Sequence, residues 1–401
     1  MRSLVAAFLA SLMVCTAGAA AIGKPRVFML NPDHLAEVRE HASEPGYRYA
    51  AELRALLATA DSTIAAGKVY SVTWTDDVPP SGDIHDYFSL SPYWWPDPSK
   101  PDGLPYVQRD GETNPERDRI SDRKPCEHMV RDVGILARAY YFSGEEKYAA
   151  YAGKLLRVWF LDEETRMNPN INHGQMRRGH NLGTKGGIIG TRRFCLLVDS
   201  IGLLEESASW TSEDQAALQE WMDDFIDWLL IHPFGTSERR SSNNHGTSYD
   251  MQIISLALYA GRGKIPKLVL ENHTRDRIRK QIEPDGAQPR ELRRTKGWNY
   301  CVENIKYFFR IGRMAQRLGI DIYEKRPEDN GGLRDAIEWL LPYTTRENNW
   351  PYKQITEWQP ERFSETLHVA NAVYKGDKMK AALRNLGWET PTLEEFINIP
   401  D

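Results

Sequence analysis

The chain has 401 residues, 41% of them hydrophobic, enough for one large domain or two ordinary ones with a sizeable core. Its formal net charge of −5, from 51 basic and 56 acidic residues, excludes a broadly basic nucleic-acid binder. A polyanionic partner would have to meet a local basic patch, and Arg177-Arg178, Arg192-Arg193, Arg239-Arg240 and Arg290/Arg293/Arg294 are the candidates to build one.

The N-terminus, MRSLVAAFLASLMVCTAGAAAIGKP, begins with Arg2, runs apolar from Leu4 to Val14 and reaches small residues at Ala17 to Ala21. This is the pattern of a secretory signal peptide over 1–21, and its apolar run is too short to span a bilayer. A secreted or periplasmic location is expected, with 22–401 as one mature domain and no membrane span. Helical spacing predicts helices over roughly 47–66, 145–160, 187–205, 245–261, 298–318, 330–343 and 362–374. Met129, Val133, Leu136 and Tyr140 mark another, as do Leu218, Met222, Phe225 and Leu229, with Ser212 and Gln215 as a capping box before the latter. Strand alternation is confined to Val69–Thr73. The fold class is therefore all-α. No repeat of fixed period is present, which argues against a solenoid. Antiparallel helical hairpins closing into an incomplete α/α toroid suit the length.

Two long irregular segments interrupt the helices, 71–124 and 161–186. Loops of this length inside a compact domain are functional or disordered. The first is rich in proline but carries Tyr87, Phe88, Tyr93, Trp94, Trp95 and Tyr106, so it reads as an ordered flap over a cleft. Trp and Tyr faces there suit sugar rings. Cys126, Cys195 and Cys301 follow the leader without a CxxC pair, which leaves open one disulfide plus a free thiol, or three buried thiols. His173, His180, His232 and His245 lack metal-ligand spacing of the HExxH type, so neither metal nor cofactor is expected.

The most chemical stretch is Asn243-Asn244-His245, just before an apolar helical run, followed about one helical hairpin later by RELRRTKGWNY (Arg290 to Tyr300). An amide, an imidazole and a guanidinium can neutralise a carboxylate. That makes the neighbouring C–H acidic enough for a base to remove, while an acid protonates the departing sugar oxygen. Tyr300 can serve both duties. Its ordinary pKa is near 10, so a cation must favour the phenolate, and Arg294 in the preceding loop is placed to do so, with Arg293 as its rival. The chemistry is β-elimination of an acidic polysaccharide. Competing readings are a glycoside hydrolase, for which Asp250, Asp285, Glu291 and Glu303 supply carboxylates, and a uronan-binding protein without turnover.

Four blocks carry a resemblance: DYFSLSPYWWPDPSKPDGLPYVQRDGETNPE (Asp86 to Glu116), FLDEETRMNPNINHGQ (Phe160 to Gln175), NNHGTSYDMQ (Asn243 to Gln252) and PRELRRTKGWNYCVENI (Pro289 to Ile305). Together they resemble the alginate-lyase-like family of polysaccharide lyases. The resemblance implies an α/α toroid and lyase action on uronate polymers such as alginate or glucuronan. It implies Asn244, His245 and Arg294 at the substrate carboxylate and Tyr300 as acid, and as base when the C5 proton and O4 share a face. His245 would be the base for the opposite epimer. Tyr93, Trp94, Trp95, His173, Gln175, Arg178, Asn243 and Arg293 are the implied substrate-binding positions. The basic pair after Gln175, Gly190 and His173 depart from the family pattern and bear on substrate choice.

Overall fold

Apolar residues at helical spacing give each long helix one face to bury, and the burial of those faces sets the architecture. The structure, a computed structural model, describes residues 23–75, 77–345 and 350–400. The expected signal peptide lies outside the described residues. In chain order the helices are α1 (Pro32–His41), α2 (Ala50–Ala66), α3 (Arg123–Ser143), α4 (Glu146–Leu156), α5 (Phe194–Gly202), α6 (Ser212–Ile231), α7 (Pro233–Arg239) and α8 (Asn244–Tyr259). They continue with α9 (Lys264–Val269), α10 (Arg275–Gln281), α11 (Pro289–Leu292), α12 (Gly297–Arg317), α13 (Leu333–Leu340), α14 (Ser364–Tyr374), α15 (Asp377–Asn385) and α16 (Leu393–Phe396).

Helices α3, α5, α8, α12 and α14 pack side by side as an inner arc, with α2, α4, α6, α9, α13 and α15 against their outer sides. This is an all-α toroid. The expected stripes are buried: Met129, Val133, Leu136 and Tyr140 on α3, and Leu218, Met222, Phe225 and Leu229 on α6. Helix α8 is the most enclosed, with every residue but His245 and Leu258 buried. A helix apolar or small nearly all round belongs in a core. Among the described residues no helix is long and apolar enough to cross a membrane.

Three local expectations are corrected. The start of 187–205 is a 3-10 run, Lys185–Arg193, because Gly186, Gly187 and Gly190 weaken α-helix there. Thr211, not Ser212, caps α6: its hydroxyl accepts the Asp214 N–H, and the Asp214 carboxylate closes the box by accepting the Thr211 N–H. Val69–Thr73 forms no strand. Ser71 instead accepts from the Thr73 N–H and opens a 3-10 turn at Val72–Trp74. Among the described residues Cys126, Cys195 and Cys301 are buried free thiols, and burial raises the pKa of Cys126 and Cys195 to about 12.

The two irregular segments are ordered against each other. Strand β1 (Phe88–Leu90) pairs in parallel with β4 (His173–Met176), and β2 (Trp94–Trp95) pairs antiparallel with β3 (Val107–Gln108). The flap is thus a short hairpin rooted in the toroid. At its root the Phe88 N–H donates to Asp122 over 2.8 Å. Burial raises the pKa of Asp122 to about 7, against hydrogen bonds from Phe88 and Thr75 that lower it. Between the ordinary aspartate value and about 7 the folded chain therefore holds one more proton than the unfolded chain. Stability falls as pH rises through that window and levels off above it. Asp122→Asn is expected to remove that slope and to raise Tm relative to the parent at pH 8, readable by thermal melts across a pH series.

Candidate active site

Helix α8 begins without a side-chain cap on Asn243. A buried carboxylate from another element takes that place. Glu291, in α11, accepts the Asn244 backbone N–H over 2.6 Å and the Asn244 Nδ2 over 2.6 Å. An anion at a helix N-terminus satisfies an orphan donor and meets the positive end of the helix dipole. Burial raises the pKa of Glu291, and the two bonds from Asn244 pull it back down in part. The amide of Asn244 is therefore fixed, with its remaining polar capacity on the cleft side. Gly246 follows because space runs out: a Cβ there would lie 2.1 Å from Arg277 Nη1 and from the Ser241 carbonyl.

Arg277 is the clasp behind this turn. Its guanidinium donates to the carbonyls of Ser241 and Arg239, both at 2.6 Å, and to the fully buried Asp250 at 2.7 and 3.0 Å. It ties the 239–243 loop to α8. Arg277→Ala leaves Asp250 buried without a counter-charge, so a loss of about 3–5 kcal/mol in unfolding free energy is expected. Urea denaturation of the variant checks it.

His245 stands on the one open side of the α8 start. Its Nδ1 is in hydrogen-bond contact with Oε1 of Glu238, which is 1% exposed at the end of α7. Burial works against the Glu238 carboxylate, but the hydrogen bond and charge of His245, the Lys185 ammonium and the Ser241 hydroxyl outweigh it. The carboxyl is held below the usual glutamate range. An ionised carboxylate only accepts, so Nδ1 carries the proton and Nε2 is the nitrogen left for the cleft.

Tyr300 comes from the first turn of α12. Its hydroxyl is 2.8 Å from that of Tyr93 on the flap and 3.4 Å from Arg294 Nη2, and the Arg294 guanidinium lies 4.5 Å from the ring centre. Burial, then the charge and hydrogen bond of Tyr93, raise the Tyr300 pKa well above the ordinary value, and Arg294 opposes them without prevailing. The expected cation is in place, yet the phenol stays neutral. Arg294 in turn donates to Asp110 over 2.7 Å, and Thr295 Oγ1 donates to the same carboxylate over 3.1 Å. The chain just after β3 presses so closely here that a Cβ on Gly111, whose φ is +80°, would lie 2.3 Å from Thr295 Oγ1.

These groups share one cleft of about 580 Å³. Tyr93, Trp94, Gln175, Asn243, Asn244, His245, Arg294 and Tyr300 line it. Gln175 reaches it from a left-handed backbone, φ +50°, at a cost of roughly 1–2 kcal/mol that marks a constrained position. The other four expected positions lie off its wall. Trp95 donates to the Glu112 carbonyl and lies under Arg109; Arg178 pairs with Glu116. His173 binds the Leu182 carbonyl, and Arg293 is exposed and donates to the Pro289 carbonyl.

The walls are basic although the chain is acidic. Arg117, Arg123, Arg177, Lys185, Arg192, Arg193, Arg294, Lys296 and Arg362 line the cleft against one carboxylate, Glu303. Most are matched by acids set behind them: Asp118 for Arg117 and Arg123, Glu238 for Lys185, Glu127 for Arg193, Glu303 for Arg192 and Arg362. Glu238, Asp110, Lys296 and Arg277 were not legible as site residues. The one hint is that Glu238, Ser241 and His245 recur at helical spacing across the turn between α7 and α8.

A sequence profile of the alginate lyase family matches residues 48–350. The chain belongs to that family. An alginate lyase from Bacteroides ovatus is 36% identical in a match covering 94% of this chain and 100% of that one, with a TM-score of 0.89. Alginate lyase A1-III from Sphingomonas species A1 shares the fold at 13% identity, with 82% of this chain and 88% of that one covered and a TM-score of 0.51. A variant of that enzyme complexed with tetrasaccharide matches at a TM-score of 0.52 over 82% of this chain and 88% of that one, again at 13% identity. No curated protein matches the chain. The alginate lyase family and this cleft make the protein a polysaccharide lyase.

Proposed function

We propose that this lyase is exported and cleaves the 1,4-glycosidic bonds of mannuronate-rich alginate, leaving 4,5-unsaturated ends. The observation that carries the reading is the pairing, in one basic cleft, of a half-buried phenol beside Arg294 with an imidazole and an amide each backed by a carboxylate. Asn244 and Arg294 meet the uronate carboxylate and draw charge out of it as the C5 proton leaves. The C5–H electrons become the C4–C5 double bond, the C4–O4 bond breaks, and O4 takes a proton. In mannuronate H5 and O4 lie on one ring face, so Tyr300 serves both steps, with Arg294 stabilising its phenolate. Glucuronate has the same relation of H5 and O4, which makes glucuronan the alternative polymer.

A second reading rests on the protonation of the site. A phenol held neutral is ready as an acid, and an imidazole with Nδ1–H on Glu238 presents Nε2 as a base. That division suits guluronate, whose H5 and O4 lie on opposite faces. Hydrolysis finds little support. It needs two carboxylates flanking the bond. Asp250 is locked to Arg277, Glu291 to Asn244, Asp285 caps Ala287 away from the cleft, and Glu303 is bound by the Tyr307 hydroxyl.

The test is ultraviolet absorbance on polymannuronate, polyguluronate and glucuronan. New absorbance on polymannuronate above the other two supports the first reading, and a preference for polyguluronate replaces it with the second. No absorbance on any of them overturns both. For export, the mature N-terminus recovered outside the cytoplasm should begin near residue 22, and an intact Met1 there would refute cleavage.

A further inference from the structure

Two of the cleft cations, Arg177 and Lys296, face no carboxylate among the described residues. Neither belongs to the flap hairpin, but both lie against its aromatic rings. Lys296 Nζ lies 5.3 Å from the ring centre of Tyr93, and the Arg177 guanidinium lies 4.6 Å from that of Trp94. Tyr93 is the hydrogen-bond partner of Tyr300, so Lys296 stands beside the Tyr300 pair, and Arg177 stands at the ring of the next residue, Trp94. Arg177 is half-buried, and its Nε is enclosed without a hydrogen-bond partner. Burial accordingly depresses its pKa. A cation taken out of water without an anion is costly, and a ligand anion recovers that cost. Stacking on an indole holds the guanidinium plane in place without occupying its donors.

We propose that Arg177, stacked on Trp94, binds the carboxylate of a sugar next to the one being cleaved, so that the enzyme selects runs of consecutive uronates. This rests on the lyase reading above. A polymer whose uronates are interrupted by neutral sugars leaves Arg177 unpaired and binds less well. The group touches substrate away from the reacting atoms, so it acts on KM and leaves kcat little changed.

The experiment uses whichever uronate polymer the parent cleaves, native and with part of its carboxyls reduced to neutral alcohols. In the parent the reduced polymer should show the higher KM. Arg177→Ala should raise KM on the native polymer roughly 10- to 100-fold, the worth of a charge-assisted hydrogen bond, and bring the two polymers together. Arg177→Lys, which keeps the charge, should restore part of the discrimination and covers the case in which the alanine variant fails to fold. Unchanged KM in both variants, or the same discrimination as the parent, overturns the subsite while leaving the lyase reading intact. A parent that forms no unsaturated product overturns the lyase reading itself.

Discussion

Tyr300→Phe should lower kcat on the preferred polymer by about 10²–10⁴-fold, the range for loss of a positioned proton donor or acceptor. KM should stay close to that of the parent, because the ring remains and Arg294 still has its face to lie over. The change removes one atom at the point where Tyr93 and Arg294 converge. The Tyr93 hydroxyl it leaves behind lines the cleft and can turn to water, so folding should be intact. Steady-state kinetics with a thermal melt separates the two effects. A variant within a few-fold of the parent would remove the phenol from the chemistry.

His245→Ala should cost a similar factor, about 10²–10⁴ in kcat, if the imidazole handles a proton. The informative comparison is with Glu238→Gln. Glu238 holds the ring by Nδ1 and lies too deep to meet substrate, so it is a positioning residue. Its amide variant should lose less activity and leave KM unchanged. In the His245→Ala background the second change should add almost nothing, because two groups acting as a unit are not additive. Full additivity in that double-mutant cycle would show that Glu238 acts independently of the ring. His245→Ala also strips Glu238 of the contact that lowers its pKa. In the parent that depressed pKa stabilises the fold above the ordinary glutamate value and is lost as pH falls through the folded value, so the variant should lose this share at neutral pH.

The long helices were legible because burial writes a period into the sequence, and α8 and α12 begin within a residue of where spacing puts them. The motif residues were legible because unusual side chains crowd a short stretch. Direction was less so. Trp94 and Trp95, Arg177 and Arg178, Arg293 and Arg294 are neighbours in sequence, yet only one of each pair faces the cleft. In the strand pair Trp94–Trp95 successive side chains point to opposite sides, and in the turn after α11 Arg293 and Arg294 also diverge. The missing partners have a different cause. Glu238, Asp110 and Arg277 act through folded contacts, and a lone carboxylate or arginine in a sequence looks the same whether it is solvated or buried against a partner. The strand at Val69–Thr73 failed because so short an alternation cannot outweigh a local Ser71 turn.

The flap reaches the reaction centre twice, through Tyr93 at Tyr300 and through Asp110 at Arg294, while its tip at Ser99–Asp102 is exposed. Catalytic competence and helical content are thereby separable. During refolding, turnover should return after the circular-dichroism signal of the helices, since the hairpin can dock only on a finished toroid. A single proteolytic nick in that tip should silence the enzyme while its melting curve barely moves.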